Sequence, residues 1–555
     1  MEKEWSAQKI NDWFTQHALG KEAVFERVDK AVRGMRPESL FHSLSASESL
    51  LTEAAFLALL QDKADLPLSP DGDAAGKILF SSLAYLSTLP FPSSTKTIPP
   101  RDVLSFAQLA RALVWMVPDN YGYIVEEGNL SRQRTKADHR RLMFQSLAGR
   151  LDPKPRYHAE SARRLALYNA FEVEHESRRD NCASNHDDDG DEIYHDLLDV
   201  LYGTQITHPD PRYGPVPRDD FRLVAKQIAA EHDLDELYDL GISIDRFVCL
   251  VKFLVALQFI QPDEYRDEHR NLDLSRFNTT TRSICAAFCP EHNGVITWPA
   301  FDYALKNITP YLLDPLYHFI TKIFIPDQHH TPAISCLWDS PSPLPGGTPL
   351  TMPLMSQLAT FLGGSLDFAS LRRTFRYSST SSDQSLLKPS SELIRAMETI
   401  PEEAILIFSA QQPSESSPSD TQRMTYIFGV FSYNPKEDRI SIQNNTNLPS
   451  GFVGQERCAI FQLAPVQDVW RGVVGKPGWT VSDTEVVFGD GGGVALKMKD
   501  GCRAVDIAHR SGGDGGDGSG SGGGYVYEPN GWRGNWCLTS LSIGDIEMWT
   551  DWQES

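Results

Sequence analysis

From the start of the chain to about Pro326, apolar positions recur at three- and four-residue spacing, the mark of helices with one buried stripe. The pattern predicts helices over Thr52 to Leu60, Phe106 to Trp115 and Ile244 to Leu254, with Pro and Gly punctuating between them. Pro67 to Gly76 and Pro90 to Pro100 read as loops, and Arg178 to Glu192 as a polar, acidic insertion. After Pro326 the texture changes. Asp327 to Pro332 and Ser340 to Gly347 read as a linker, a helix is expected at Leu354, Leu358, Phe361 and Leu362, and runs rich in β-branched and aromatic residues then predict strands. Those runs are Ala404 to Phe408, Tyr426 to Phe431, Cys458 to Leu463 and Thr484 to Phe488. The expected fold class is α+β: an all-α half over 1–326, a linker over 327–350, and a β-sandwich with helices over 351–555.

A glycine run, Gly489, Gly491, Gly492 and Gly493, precedes Val494 to Met498 and invites a nucleotide-binding reading. A phosphate cradle of that kind needs a helix after the glycines, so that N–H groups and the helix N-terminus face the phosphates. Here Val494, Leu496 and Met498 alternate with Ala495 and Lys497, which is the period of a strand, and no Gly-Lys-Ser/Thr follows. The glycines therefore form a tight turn at the head of a strand. Ser511 to Gly524 is nearly all Gly, Ser and Asp, and only superficially matches a calcium-binding nonapeptide; Ser519 stands where that repeat needs a large apolar residue. It reads as a flexible loop.

Charge and composition narrow the function classes. The chain has 555 residues, 41% of them hydrophobic and 23% charged, with a net charge of −22. That balance works against sequence-independent binding to nucleic acid or to anionic membranes. The longest apolar run, Phe247 to Ile260, is too short to span a bilayer and is broken by Lys252 and Gln258. Met1 to Trp5 carries neither a signal-peptide apolar core nor a Met-Gly start, so the expected location is cytoplasmic, with membrane attachment only through a partner. Eight scattered cysteines, Cys182, Cys249, Cys285, Cys289, Cys336, Cys458, Cys502 and Cys537, form no disulfide framework and read as reduced and mostly buried.

Candidate chemistry is sparse. Ile284 to Phe301 has the skeleton of an EF-hand: Gly294 takes the sharp sixth position, Ile296 the apolar eighth, and Phe288 and Phe301 flank the loop. The ligands fail, because Cys289, Glu291, Asn293 and Ala300 stand at the first, third, fifth and twelfth positions. The expectation is an EF-hand-like fold that binds no calcium. With Gly190 at the sixth position of a second acidic stretch, Asn185, Asp187, Asp189, Asp191 and Asp196 fall at ligand positions, but Glu192 replaces the apolar residue that should pin the loop. A charge run of this kind reads as a solvated loop. Cys285, Cys289 and His292 lie close in sequence without a second pair at zinc spacing. No Cys-x-x-Cys, Gly-x-Ser-x-Gly or His-Glu-x-x-His occurs, so no catalytic constellation and no cofactor is expected.

The second half resembles a TLDc domain, from about Ile334 to Trp552. The resemblance is carried by motifs in order: the helix at Leu354 to Leu358, Leu371 to Ser379, the strand Tyr426 to Ser432 with Gly429, Gly454 to Leu463, Phe488 and Gly489 with Gly491 and Gly492, and Glu547 to Trp549. Departures are Thr380 to Ser385, where the family usually has a Glu and a Gly, Ser432 to Lys436, where it usually has Ser-Glu-Pro-Trp, and the enlarged loop Ser511 to Gly524. An EF-hand-like half before a TLDc domain is similar to the layout of the mTOR-associated and fungal vacuolar members of that family. The layout implies a non-enzymatic regulator of the proton-pumping V-ATPase, peripheral at the vacuole or lysosome, with links to oxidative stress response or TOR signalling.

Two other classes compete with this reading. A thiol-based antioxidant enzyme would use Cys458, Cys502 or Cys537 and needs a thiolate of lowered pKa. A membrane-trafficking scaffold would use binding surfaces alone. Trp549 and Trp552 are either exposed anchors for a partner or core residues, and the core is the more frequent place for such a tryptophan.

Overall fold

The computed structural model describes residues 21–33, 50–64, 70–91, 103–124, 136–150, 194–205, 216, 218–231, 237–258, 274–290, 293–324, 350–363, 368, 370–379, 392–393, 395–396, 403–412, 424–433, 458–472, 479–481, 485–489, 493–510, 526–527 and 534–551. Within them the chain is α+β. Helices α1 (Lys21–Val32), α2 (Glu53–Ala64), α3 (Pro70–Leu86), α4 (Phe106–Met116), α5 (Lys136–Leu147), α6 (Tyr194–Gly203), α7 (Arg222–Glu231), α8 (Ile244–Leu257), α9 (Asn278–Phe288), α10 (Trp298–Tyr303) and α11 (Asp314–Phe324) precede the sheet-rich part. Between them run five short strands, β1 (Leu50–Thr52), β2 (Val103–Ser105), β3 (Gly149–Arg150), β4 (Leu240–Ser243) and β5 (Val295–Thr297).

These strands tie helices into pairs. Each of β1, β2, β4 and β5 leads directly into a helix, and they join antiparallel as β1 with β2 and β4 with β5. The residues at the centres of the ladders, Leu51 facing Leu104 and Ile242 facing Ile296, are buried. One apolar side chain per strand thus pins each loop to its partner loop. At the start of α4, Ser105 and Gln108 form a reciprocal capping box that satisfies two N-terminal N–H groups. The α8 to α10 group closes on a cluster of rings, with Phe247 at 4.8 Å and Phe301 at 5.7 Å from Phe288.

One expected loop is corrected. Pro67 to Gly76 was read as a connection, yet α3 begins at Pro70. Proline at a helix start costs no hydrogen bond, and Asp71 and Asp73 in the first turn face the positive end of the helix dipole. Gly76 marks a close helix crossing instead of a turn: a Cβ there would lie 2.2 Å from Leu57 Cδ2.

After helix α12 (Met352–Leu362) the chain builds a ten-stranded sheet from β6 (Leu371–Ser378), β7 (Glu403–Gln411), β8 (Thr425–Tyr433), β9 (Ala459–Ala464), β10 (Asp468–Arg471), β11 (Trp479–Val481), β12 (Val486–Gly489), β13 (Val494–Lys499), β14 (Ala504–His509) and β15 (Trp536–Asp551). The order is β10-β9-β8-β7-β15-β14-β13-β12-β11, with β6 also on β15. The long strand β15 belongs to both faces. Its first part, Trp536 to Ser542, pairs with β14, and its later part lies between β7 and β6. The sheet therefore folds on itself. Leu406, Phe408, Phe428 and Ile460 from one side meet Phe488, Leu496, Met498 and Ile507 from the other in a single apolar cluster.

The opposite face of the β7–β8–β9 side packs against helices. Ile405, Ile407, Phe431, Phe461 and Leu463 alternate with the residues of the sandwich core and join α12 and the helical half in one continuous cluster. Helix α12 lies at this seam, buried at every residue from Pro353 to Leu362. No helix among the described residues is long and apolar enough to cross a membrane.

Candidate functional site

The loop that the sequence likens to an EF-hand shows what a thiol does where a calcium ligand would stand. Cys289 caps the end of α9 and is buried, and its thiol shares its one proton between Asn293 Oδ1 at 3.6 Å and the Val295 carbonyl at 3.5 Å. Those two oxygens occupy the fifth and seventh positions, which in a calcium loop would face the ion. Asn293 Oδ1 also accepts the Val295 N–H at 3.0 Å, and Gly294 makes the turn with φ of 78°. The Gly294 carbonyl accepts the Ile244 N–H of the partner loop at 3.0 Å. Ala300 is buried in α10 and supplies no oxygen, while Glu291 and His292 lie outside the described residues. The loop is closed by its own hydrogen bonds.

The second acidic stretch lies outside the described residues up to Asp191, but its last member does not. Asp196, placed in the sequence reading among possible ligands, sits in α6 with both oxygens on Arg141, at 2.8 and 2.9 Å. Its charge is committed to a guanidinium in the interior.

The thiols fall into different surroundings. Cys458 and Cys502 are buried and Cys537 is exposed, while Cys285 is buried in α9. Burial pushes the Cys502 thiol up to about 11 and the Cys285 thiol further still, away from the thiolate that peroxide chemistry needs. Among the described residues, no group of three His, Cys, Asp or Glu side chains is arranged to hold a metal ion.

The motif residues of the second half are brought into the sandwich. Gly429 lies in the middle of β8 opposite Ile407; a Cβ there would stand 2.4 Å from both the Leu406 carbonyl and Phe461 Cζ. Phe488 is buried in the sandwich core. Gly489 ends β12 with φ of 80°, and a Cβ would fall 2.1 Å from the Val494 carbonyl across the hairpin. Gly491 and Gly492 lie outside the described residues.

Glu547 and Trp549 form a more unusual arrangement. Glu547 is fully buried, yet Arg373 Nη1 donates to its Oε1 at 3.0 Å and Trp549 Nε1 to its Oε2 at 3.1 Å. Arg376 Nε stands 3.8 Å from the same carboxylate. Both arginines reach one face because the register slips: Met548 pairs with Phe375, Trp549 with Arg373, and Thr374 is passed over. Trp549 is only 3% exposed, so the anchor reading fails for it and the core reading holds. Trp552 lies outside the described residues.

The sequence reading missed the charged centre of the helical half. In α5, Asp138, His139, Arg140 and Arg141 are buried in succession. Arg140 Nε meets Asp302 of α10 at 2.6 Å, and Arg141 holds Asp196 and stands 3.8 Å from Asp138. His139 bridges two tyrosines, Tyr121 at Nδ1 and Tyr317 at Nε2, the latter at 2.6 Å. Nearby, Arg218 pairs with Asp199 of α6 at 2.7 Å. A run such as Asp-His-Arg-Arg reads as a solvated face in sequence; the available signal was the apolar run that follows it directly, Leu142, Met143 and Phe144.

No family model matches the chain. The chain is similar to two curated fungal proteins named "Restriction of telomere capping protein 5", from Aspergillus flavus and Aspergillus oryzae, each 25% identical over 270 residues, which are 46% of this chain. That stretch is 38% of each relative, so the match spans about two fifths of the curated proteins' length.

Proposed function

We propose that this chain is a non-catalytic regulatory protein of the TLDc kind, with paired EF-hand-like helical units before the sandwich, and that it acts by binding the V-ATPase at the vacuole or lysosome. The observation that carries the reading is where the motif residues go. Gly429, Phe488, Gly489, Glu547 and Trp549 are spent on strand contact, a hairpin and a buried carboxylate clamp. A motif set of that kind defines a scaffold whose activity lies in surface complementarity. The closed loop at Cys289 supports regulation by docking over regulation by calcium.

The test is capture of the tagged full-length chain from cells, followed by identification of what accompanies it. Subunits of the pump's cytosolic sector are expected, together with altered pump assembly when the chain is removed. Capture without pump subunits, with assembly and proton transport unchanged, would overturn the proposal. A peroxide-reducing activity lost in Cys502→Ser would favour the thiol enzyme. The name of the fungal relatives favours a second reading, a role in restricting telomere capping, which a telomere-protection assay in cells lacking the chain would reveal. The net charge of −22 favours action there through a protein partner over direct contact with DNA.

A further inference from the structure

The seam between helices and sheet is packed with apolar side chains but incompletely hydrogen-bonded. Gln467, in the turn between β9 and β10, is fully buried, and its N–H donates to the Ser283 carbonyl of α9 at 2.9 Å. Its Nε2 donates to Thr360 Oγ1 at 3.0 Å and to the Ile308 carbonyl at 3.4 Å. Among the described residues, the Gln467 Oε1 has no donor. Neither has Oε1 of Gln357 nor Oγ of Ser356, both wholly buried on α12. Three oxygens that water would satisfy are thus shut away around one helix. Burying an acceptor without a donor shifts an equilibrium by about tenfold toward any form that lets water reach it.

The hydrogen bonds sort by side, although α12 also packs against α8 and α9. Helix α12 is held to the sheet by Gln357 Nε2 on the Leu463 carbonyl at 2.8 Å and by Phe361 against Phe461 at 5.3 Å. Across to the helical half run the two Gln467 bonds to Ser283 and Ile308, and the Tyr311 N–H to the Thr360 carbonyl at 3.0 Å. The sandwich core lies on the far side of the sheet and takes no part in the seam.

We infer that the seam is a separable contact. The helical half parts from the sheet, with α12 leaving on the sheet side, while the sandwich core and the paired helical units stay packed. Parting hydrates Gln467, Gln357 and Ser356 and uncovers an apolar face on each side. The closed form is favoured by apolar contact and opposed by the unpaired oxygens, so the open form is a minor state. This inference is independent of which partner the protein regulates.

Hydrogen exchange of the full-length chain in low denaturant tests it. Peptides carrying the Tyr311 and Gln467 amides are expected to open in a step that needs less denaturant than β7 or α4. Ser356→Ala removes one unpaired oxygen and is expected to slow that step by about tenfold. Gln467→Ala removes the side-chain bonds to Ile308 and Thr360, keeps the backbone bond to Ser283, and is expected to speed it, with exchange in β7 and α4 unchanged. The inference is overturned if the seam peptides exchange only with global unfolding, or if both variants leave the seam step unmoved.

Discussion

The helical half and the sandwich solve the same problem with different chemistry. In the sandwich, strands such as β13 and β14 alternate strictly between buried and half-exposed residues, and the interior is apolar from Phe408 to Met498. In the helical half, α5 is buried from Asp138 to Leu147 although its sequence is polar, and its charges are matched across the fold by Asp302 and Asp196. An apolar interior tolerates exchange of one hydrocarbon for another of similar volume. A buried ion pair does not tolerate loss of one member, because the other is left charged in a medium that solvates it poorly. The two regions should therefore fail differently under mutation.

The largest expected effect comes from Arg141→Ala. It strands Asp196 and is expected to cost about 3–5 kcal/mol in denaturant unfolding. The double change Arg141→Met with Asp196→Leu is expected to recover much of that loss. Failure of the double variant to recover would show that the pair supplies geometry that apolar groups cannot.

In the sandwich, Gly429→Ala forces a methyl group against Phe461 and the Leu406 carbonyl, where β8 has no room to move. The expected cost is about 1–3 kcal/mol, read from the same unfolding curves. An unchanged midpoint would mean that β8 is less tightly held than its neighbours.

A smaller effect belongs to the sandwich surface. Burial acts to raise the Asp506 carboxyl, but the hydrogen bond from Lys499 and the Ser540 N–H outweigh it and hold the group below the usual carboxylate range. A depressed carboxylate contributes stability above its unfolded value, lost as pH falls through the folded one. Asp506→Asn is expected to remove a small part of the acid sensitivity below about pH 4 and to leave neutral stability little changed. A variant as acid-sensitive as the parent chain would assign that limb to the buried pairs of the helical half instead.

The smallest expected effect is none. With the Cys289 thiol on the oxygens that would face a cation and Ala300 at the twelfth position, micromolar calcium is expected to leave the unfolding midpoint of the full-length chain unmoved. A calcium-dependent rise, lost in Asn293→Ala, would reopen the loop as a site.

The strands over Ala404 to Phe408 and Tyr426 to Phe431 were legible from their β-branched and aromatic content, and the helices at Phe106 and Ile244 from apolar positions at three- and four-residue spacing. The loop expected at Pro67 to Gly76 was misread because Gly and Pro carry two meanings, turn and close packing. Helix α3 uses the second. The β1–β2 and β4–β5 pairings were missed because strands of three or four residues are too short to display a period. The motif residues were legible by position but not by role: nothing in the order Glu547-Met548-Trp549 says that the carboxylate is buried between an indole N–H and two arginines.

The sequence by itself determined the periodicities, the change of texture after Pro326, and the lack of a carboxylate at Cys289 and Ala300, since these depend on residue type and local spacing alone. Only the tertiary structure decided that α12 is buried on every side, that the register slip at Thr374 turns Arg373 and Arg376 to one face, and that Arg141 finds Asp196 in the interior. Those outcomes join residues far apart in the chain. The free energy of a charge depends on what the whole fold places around it, which no local pattern records.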